Sequence, residues 1–364
     1  MANNVGTPRF YVDDIQYSKA IGAYKLLRFM RSSTSIDGSQ LVGDGNPSNQ
    51  FSLSMTNTAS LQWGFGHINY NREYLDRNDR FYAVLGHNFD SADFVFRHHW
   101  ENMAEVNQEG EGSHNGTADT STAQCIVNGT MSGQIYYEGG DSHSPTLIPE
   151  SDGFSICTYN GTNGTEDFFG GSRMQVYTPE GSTLGTQTLK IGAILMGGIY
   201  DMPHSPDLSL KLSYEMDGIK NIQTKGGSTL SNATYTKPAD WGSGGAWQLN
   251  SNEAGQGLSN LRSGRRTWDL SFSYLSDTDV MPENGITANG DYDTNILDGN
   301  NFFSQVWNKT MGGHLPFIFQ PDGGDNSTNS PDGFAIARFD QSSLQYEQVA
   351  HNTYNVKLKI RESW

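Results

Sequence analysis

The 364-residue chain carries 40 acidic against 23 basic side chains, a net charge of −17, and only 35% of its residues are apolar. Nucleic acid demands a basic footprint, so this balance argues against DNA or RNA as the main partner. The polarity comes from Gly, Ser, Thr, Asn and Gln rather than from Lys and Glu. With 42 glycines, that composition favours strands joined by turns and predicts an all-β protein. No apolar run approaches the roughly 18 residues that read as a bilayer span, so membrane insertion is not expected. MANNVGTPRFYVDD at the N-terminus lacks the apolar centre of a signal peptide, and synthesis in a cytoplasm is the expectation.

Pro8 to Tyr17 reads as an opening strand, and Ser18 to Met30 as a helical turn or a second strand. Phe51, Leu53 and Met55 alternate with polar residues, the period-2 signature of a half-buried strand. An aromatic, Gly-spaced segment starts at Trp63. In FYAVLGHNFDSADFVF, from Phe81, two strands flank a turn rich in Asn, Asp and Ser. Strands are predicted at Cys125–Val127, Gln134–Tyr137 and Phe154–Tyr159, separated by long polar loops. Thr188 to Tyr200 is the most apolar stretch, and its internal glycines suit a buried, kinked strand. Pro203 and Pro206 follow closely, and the domain boundary is placed there, giving domains 1–203 and 204–364.

In the second half, Leu208, Leu210, Leu212, Tyr214 and Met216 alternate with polar residues as a half-buried strand. A Gly-rich excursion from Lys225 to Gly257 carries Trp241 and Trp247. Trp268, Leu270, Phe272 and Tyr274 then define the apolar face of a strand, with Arg265 and Arg266 leading in and Asp277 and Asp279 leading out. Phe302, Val306 and Thr310 recur at four-residue steps, so residues 302–311 are predicted to be one short amphipathic helix ended by Gly312 and Gly313. Strands are expected at Leu315–Gln320, Phe334–Phe339 and from Tyr354 to the end. The pattern fits an N-terminal jelly-roll sandwich followed by a smaller β-sandwich or barrel with one helix.

Catalytic signatures are sparse. The Gly64–Gly66 pair lacks the third glycine of a dinucleotide fingerprint, and HExxH and GxSxG are absent. His98 and His99 are adjacent, so on a strand they point to opposite faces. Asp277 and Asp279 can serve as a carboxylate pair or simply form a turn. Neither cofactor nor metal site is expected, and the role is read as non-enzymatic. Cys125 and Cys157, the only cysteines, either pair as one disulfide or remain two buried thiols. Trp63, Tyr70, Tyr74, Trp241 and Trp247 suit either stacking on sugar rings or a subunit contact, where aromatics are enriched.

RRTWDLSFSYLSDTDVMP from Arg265, FFSQVWNKTMGGHLPFIFQPD from Phe302, PDGFAIARF from Pro331 and YNVKLKIRESW from Tyr354 resemble the C-terminal region of virion structural proteins of tailed bacteriophages, especially marine ones. DMPHSPDLSLKLSYEMDGIKNIQTKGG from Asp201 fits the same pattern. FYAVLGHNFDSADFVF resembles a turn of the galactose-binding-like jelly rolls found in phage tail proteins. The resemblance implies a tail protein of the distal tail or baseplate type, assembled in the host bacterial cytoplasm and located in the virion. Its implied partners are other copies of itself in a ring, neighbouring tail tube, hub or fibre proteins, and a host surface glycan. Here the sugar-binding-like part comes first and the ring-like part second. A tail tube protein with an added domain, a carbohydrate-binding receptor-recognition subunit through Trp63, Trp241 and Trp247, and a carboxylate-based polysaccharide-degrading enzyme are the alternatives. Arg265, Arg266, Asp277 and Asp279 are expected at subunit contacts on the rim.

Overall fold

Apolar residues at consecutive positions, as in the sequence around Phe10, require a strand buried on both faces. The computed structural model places that strand, β1 (Arg9–Asp13), inside a large antiparallel sheet. The structure describes residues 5–22, 24–29, 51–55, 60–67, 79–88, 95–101, 122–132, 146–149, 153–160, 171–177, 187–215, 219–233, 265–281, 300–323 and 333–363. After β1 come α1 (Asp14–Ala20), β2 (Tyr24–Phe29), β3 (Phe51–Met55), β4 (Ser60–His67), β5 (Asp79–His87), β6 (Val95–Glu101), β7 (Thr122–Val127), β8 (Thr130–Ser132) and β9 (Thr146–Ile148). They are followed by β10 (Gly153–Asn160), β11 (Gly171–Tyr177), β12 (Gln187–Ile191), β13 (Ala193–Asp201), β14 (Lys211–Glu215), β15 (Ile219–Gln223) and β16 (Thr229–Ala233). The last part holds β17 (Arg265–Ser276), α2 (Asp277–Val280), a π-helix (Phe303–Trp307), β18 (Phe317–Gln320), β19 (Ala335–Phe339), β20 (Tyr346–Ala350) and β21 (Thr353–Glu362). The chain is all-β, as its composition predicts, with three short helical segments among the described residues.

The main sheet has 11 strands in the order β14-β17-β21-β19-β18-β1-β13-β5-β10-β7, with β20 also pairing β21. A second sheet runs β2-β4-β11-β6-β9-β8, and β12–β3 and β15–β16 form separate pairs. β1 hydrogen-bonds β13 on one side and β18 on the other. Strands from both sides of residue 203, where the sequence suggests a boundary, therefore belong to one sheet. Arg9 reinforces the β1–β13 pairing by a two-pronged ion pair to its register partner Asp201, at 2.6 and 2.8 Å.

Alternation sends β1 side chains to two cores. Phe10 and Val12 join Trp268, Leu270, Phe272, Phe302, Phe317, Phe319, Val356, Leu358 and Ile360 on one face. Tyr11 joins Phe81, Ala83, Leu85, Phe154, Ile156, Leu195 and Phe334 on the other. In the first core the ring of Phe10 lies 5.3–5.6 Å from those of Phe302, Phe317 and Phe319. Burying each such ring contributes roughly 1.5–3 kcal/mol.

Four sequence expectations change in detail. Pro8 to Tyr17 is not one strand: Asp13 ends β1 and caps α1, its Oδ1 accepting from the Ile15 amide. Leu208 and Tyr214, expected on a buried face, are exposed; Leu208 lies ahead of β14, and Met216 falls outside the described residues. Tyr274 also turns outward. It adopts φ 62° at an irregularity between Phe272 and Leu275, and Leu275 takes the next buried place. The helix predicted over 302–311 contains a π-turn, since the Asn308 amide bonds the Phe303 carbonyl, five residues back. Its four-residue pattern still holds, with Phe302, Val306 and Thr310 all buried.

Candidate assembly surface

The charged flanks of β17 are largely engaged within the chain. Arg266 is buried, donates through Nη2 to Glu362 Oε1 at 3.0 Å and to the Phe334 carbonyl at 2.8 Å, and lies over the Trp268 ring. Glu362 Oε2 also accepts from the Arg266 amide at 2.9 Å. Arg265 is half-buried at the first position of β17, opposite Glu215 in the register. Asp279 Oδ2 accepts from the Ser276 amide at 3.0 Å and from its hydroxyl at 2.6 Å, closing the capping box of α2. Asp277 Oδ1 accepts from the Thr278 amide at 2.9 Å. Two further hydroxyls hold this turn: Tyr200 donates to the Asp279 carbonyl and Tyr346 to that of Val280. The two aspartates thus build a turn, one of the roles the sequence allows them.

Trp63 lies on β4, opposite Met174 of β11 and Arg28 of β2, so its backbone is interior to the six-stranded sheet. Tyr70, Tyr74, Trp241 and Trp247 lie outside the described residues, as does the strand expected at Gln134–Tyr137. His98 and His99 sit on β6.

Buried polar groups form three further clusters. Lys309 is buried and meets Asp14 at 2.7 Å, tying the helical segment after residue 302 to α1. Asp13 is buried beside them; its Oδ1 accepts from Ile15 and Met196 amides, while among the described residues Oδ2 has no hydrogen-bond partner. Burial pushes its carboxyl up to about 7, with Asp14 adding to the rise. The third cluster is His87 with Ser155, at 3.0 Å. Ser155 gives its proton to the Asn128 carbonyl, so its oxygen accepts from His87 Nε2–H. A base-activated serine needs the opposite polarity, with the imidazole nitrogen accepting. Burial holds His87 neutral, lowering it to about 3. Among the described residues no group of three or more His, Cys, Asp or Glu side chains is placed to hold a metal ion.

What lies outward is the ribbon β15–β16. Its turn is fixed by the Thr224 amide bonding the Ser228 carbonyl at 2.8 Å and by Gly227 at φ 83°, a backbone region favouring glycine. Ile222 pairs with Leu230 on one face, and Ile219 projects from the other. Ile219, Ile222 and Leu230 are 51%, 61% and 60% exposed. A ribbon whose two faces both present apolar residues to water lacks the core that an isolated two-stranded hairpin needs for stability. Lys220 and Lys225 are its only charged residues, within a chain of net charge −17. Among the described residues β14, just before the ribbon in sequence, ends the main sheet, and β7 ends it on the other side. By sequence the second strand of the ribbon falls inside a Gly-rich excursion. Two short runs around TKGGS are the signal that marks the hairpin.

No protein-family model matches the chain, and no match was found among curated proteins or solved structures.

Proposed function

We propose that this chain is a structural component of a phage virion tail, a ring-forming distal tail or baseplate protein that links the tail tube to receptor-binding parts. The observation that carries the reading is the exposed, apolar ribbon β15–β16, which follows β14, the last strand of the main sheet among the described residues. An element that cannot bury its own apolar residues is completed by a neighbour. An uncovered ribbon and a sheet edge, two different surfaces, suit head-to-tail contacts that close by rotation into a ring. The sequence resemblance to tail virion proteins supplies the setting. Residues 1–203 are then read as the galactose-binding-like jelly roll and 204–364 as the ring-building part, sharing strands in one sheet. The role is non-enzymatic, and its partners are further copies of the chain with tube, hub or fibre proteins at the ring's two faces.

The test is the oligomeric state of the full chain by light scattering and electron microscopy, alongside its copy number in purified particles. Closed rings, and about six or twelve copies per particle, are expected for a tail-tip ring. On the order of a hundred copies moves the protein to the tail tube. A monomer at every concentration that is also absent from particles overturns the reading.

A further inference from the structure

Cys125 and Cys157 are direct partners in the antiparallel ladder between β7 and β10, and neither is in a disulfide. Opposed residues in such a ladder project to the same face, with Cα atoms about 4.5 or 5.5 Å apart according to whether the pair exchanges hydrogen bonds. Both spacings lie within the roughly 4.4–6.8 Å that a disulfide spans. The side chains of Cys125 and Tyr82 lie close enough to Cys157 to shift its thiol, the cysteine raising it and the tyrosine lowering it. Met196, Tyr82, Cys157 and Cys125 are successive register partners across β13, β5, β10 and β7, so the thiols form the outer end of one row. The register slips beside the pair, where Ile156 opposes Val127, and such a bulge re-aims the side chains next to it. Cys157 is buried, whereas Cys125 is only partly so and donates to the Val127 carbonyl at 3.1 Å.

We propose that Cys125 and Cys157 form an oxidation site, closed to a disulfide by a small-molecule disulfide, which staples the edge strand β7 to β10. The partly exposed Cys125 is the entry point. Its thiolate attacks one sulfur of the small disulfide, and the other leaves as a thiolate that takes a proton from solvent. Cys157 then loses its proton to solvent and attacks the Cys125 sulfur, and the second small thiol leaves with the electrons of the mixed-disulfide bond. Two protein thiols are oxidised by two electrons, and one small disulfide is reduced to two thiols. Burial pushes the Cys157 thiol up, so the second step is the slow one and quickens as pH rises. Among the described residues β7 has a main-sheet neighbour on one side only, and the staple adds a covalent link to that neighbour. The closed loop spans residues 125–157, so the bond also restricts the unfolded chain.

The experiment treats the full native chain with oxidised glutathione and follows intact mass and thiol alkylation after denaturation. The expected product is lighter by two hydrogen atoms, resists alkylation at both positions, yields one linked peptide and melts at higher temperature than the reduced chain. Cys157→Ser is expected to stop at a glutathione adduct on Cys125, and Cys125→Ser to stay unmodified. A wild-type chain that stops at the mixed disulfide, joins two chains through Cys125, or remains a dithiol overturns the proposal. The wild-type time course alone distinguishes these outcomes, so neither variant has to fold.

Discussion

Asp13 and His87 are two buried titratable groups whose folded-state affinities for protons are shifted in opposite directions, which makes their pH effects cancel. The Asp13 carboxyl is raised from 3.8 to about 7, chiefly by desolvation. The folded chain therefore holds a proton there that the unfolded chain has released, and the stability it confers is full below pH 3.8 and lost as pH rises through 7. His87 is lowered from 6.5 to about 3 by burial, so its contribution is full above pH 6.5 and lost as pH falls to 3. Between about pH 4 and 6.5 the two slopes oppose each other, each of roughly 1.4 kcal/mol per pH unit. Asp13→Asn keeps a capping oxygen for α1 and removes one slope, so urea-melt stability should climb with pH across that window. His87→Gln should make it fall. Equal, flat profiles in both variants would refute the assignment. The Arg266–Glu362 pair makes a different demand, because both partners are buried and hydrogen-bonded. Glu362→Ala leaves a guanidinium charge uncompensated, an expected loss of about 3–5 kcal/mol in chemical denaturation. Arg266→Met combined with Glu362→Leu should recover most of that loss, since the double change leaves no orphaned charge.

Strand periodicity is legible wherever burial on one face is continuous. Trp268, Leu270 and Phe272 on β17, and Val356, Leu358 and Ile360 on β21, all sit in the core that their alternation implies. The pattern fails at Tyr274 because the break in β17 depends on the partner strand: Asn355 Oδ1 accepts the Tyr274 amide at 3.2 Å. The same non-locality hides the role of Arg266, whose partner Glu362 lies 96 residues away. A charged pair at a strand's start reads as a wet rim until its partner is known. β1 shows the point at element level, since Tyr11 donates to Gln320 Oε1 at 2.7 Å, across 309 residues of chain. Its other neighbour, β13, approaches so closely that a side chain at Gly197 would overlap the Val12 carbonyl oxygen. That is the physical reason for one of the glycines that give Thr188 to Tyr200 its kinked look. Gly197→Ala should force β1 and β13 apart at the Asp13–Gly197 register position, costing about 3 kcal/mol or more, like overpacking in a core. Amide exchange should rise along β1 and β13 together. Protection unchanged in both strands would show that the ladder absorbs the methyl group.

The main sheet draws strands from both ends of the chain, and the ribbon β15–β16 forms a separate pair. Composition announces the framework but not the ribbon, because Ile219, Ile222 and Leu230 look like core residues until the structure leaves them in water. In the proposed ring, charge would give the ribbon its preference. Lys220 and Lys225 belong to a chain that is strongly acidic as a whole, so a second copy offers both apolar cover and opposite charge. Contacts of that kind are steered by charge and held by apolar burial, and salt screens the first more than the second. Lys220→Glu with Lys225→Glu should therefore slow assembly at low ionic strength, by about ten-fold or more. It should also flatten the salt dependence of the association rate, with melting temperature unchanged because both lysines are exposed. Ile222→Asp with Leu230→Asp should instead abolish stable association at every salt concentration. If the lysine reversals leave both the rate and its salt dependence untouched, the ribbon's partner is not a second copy of this acidic chain.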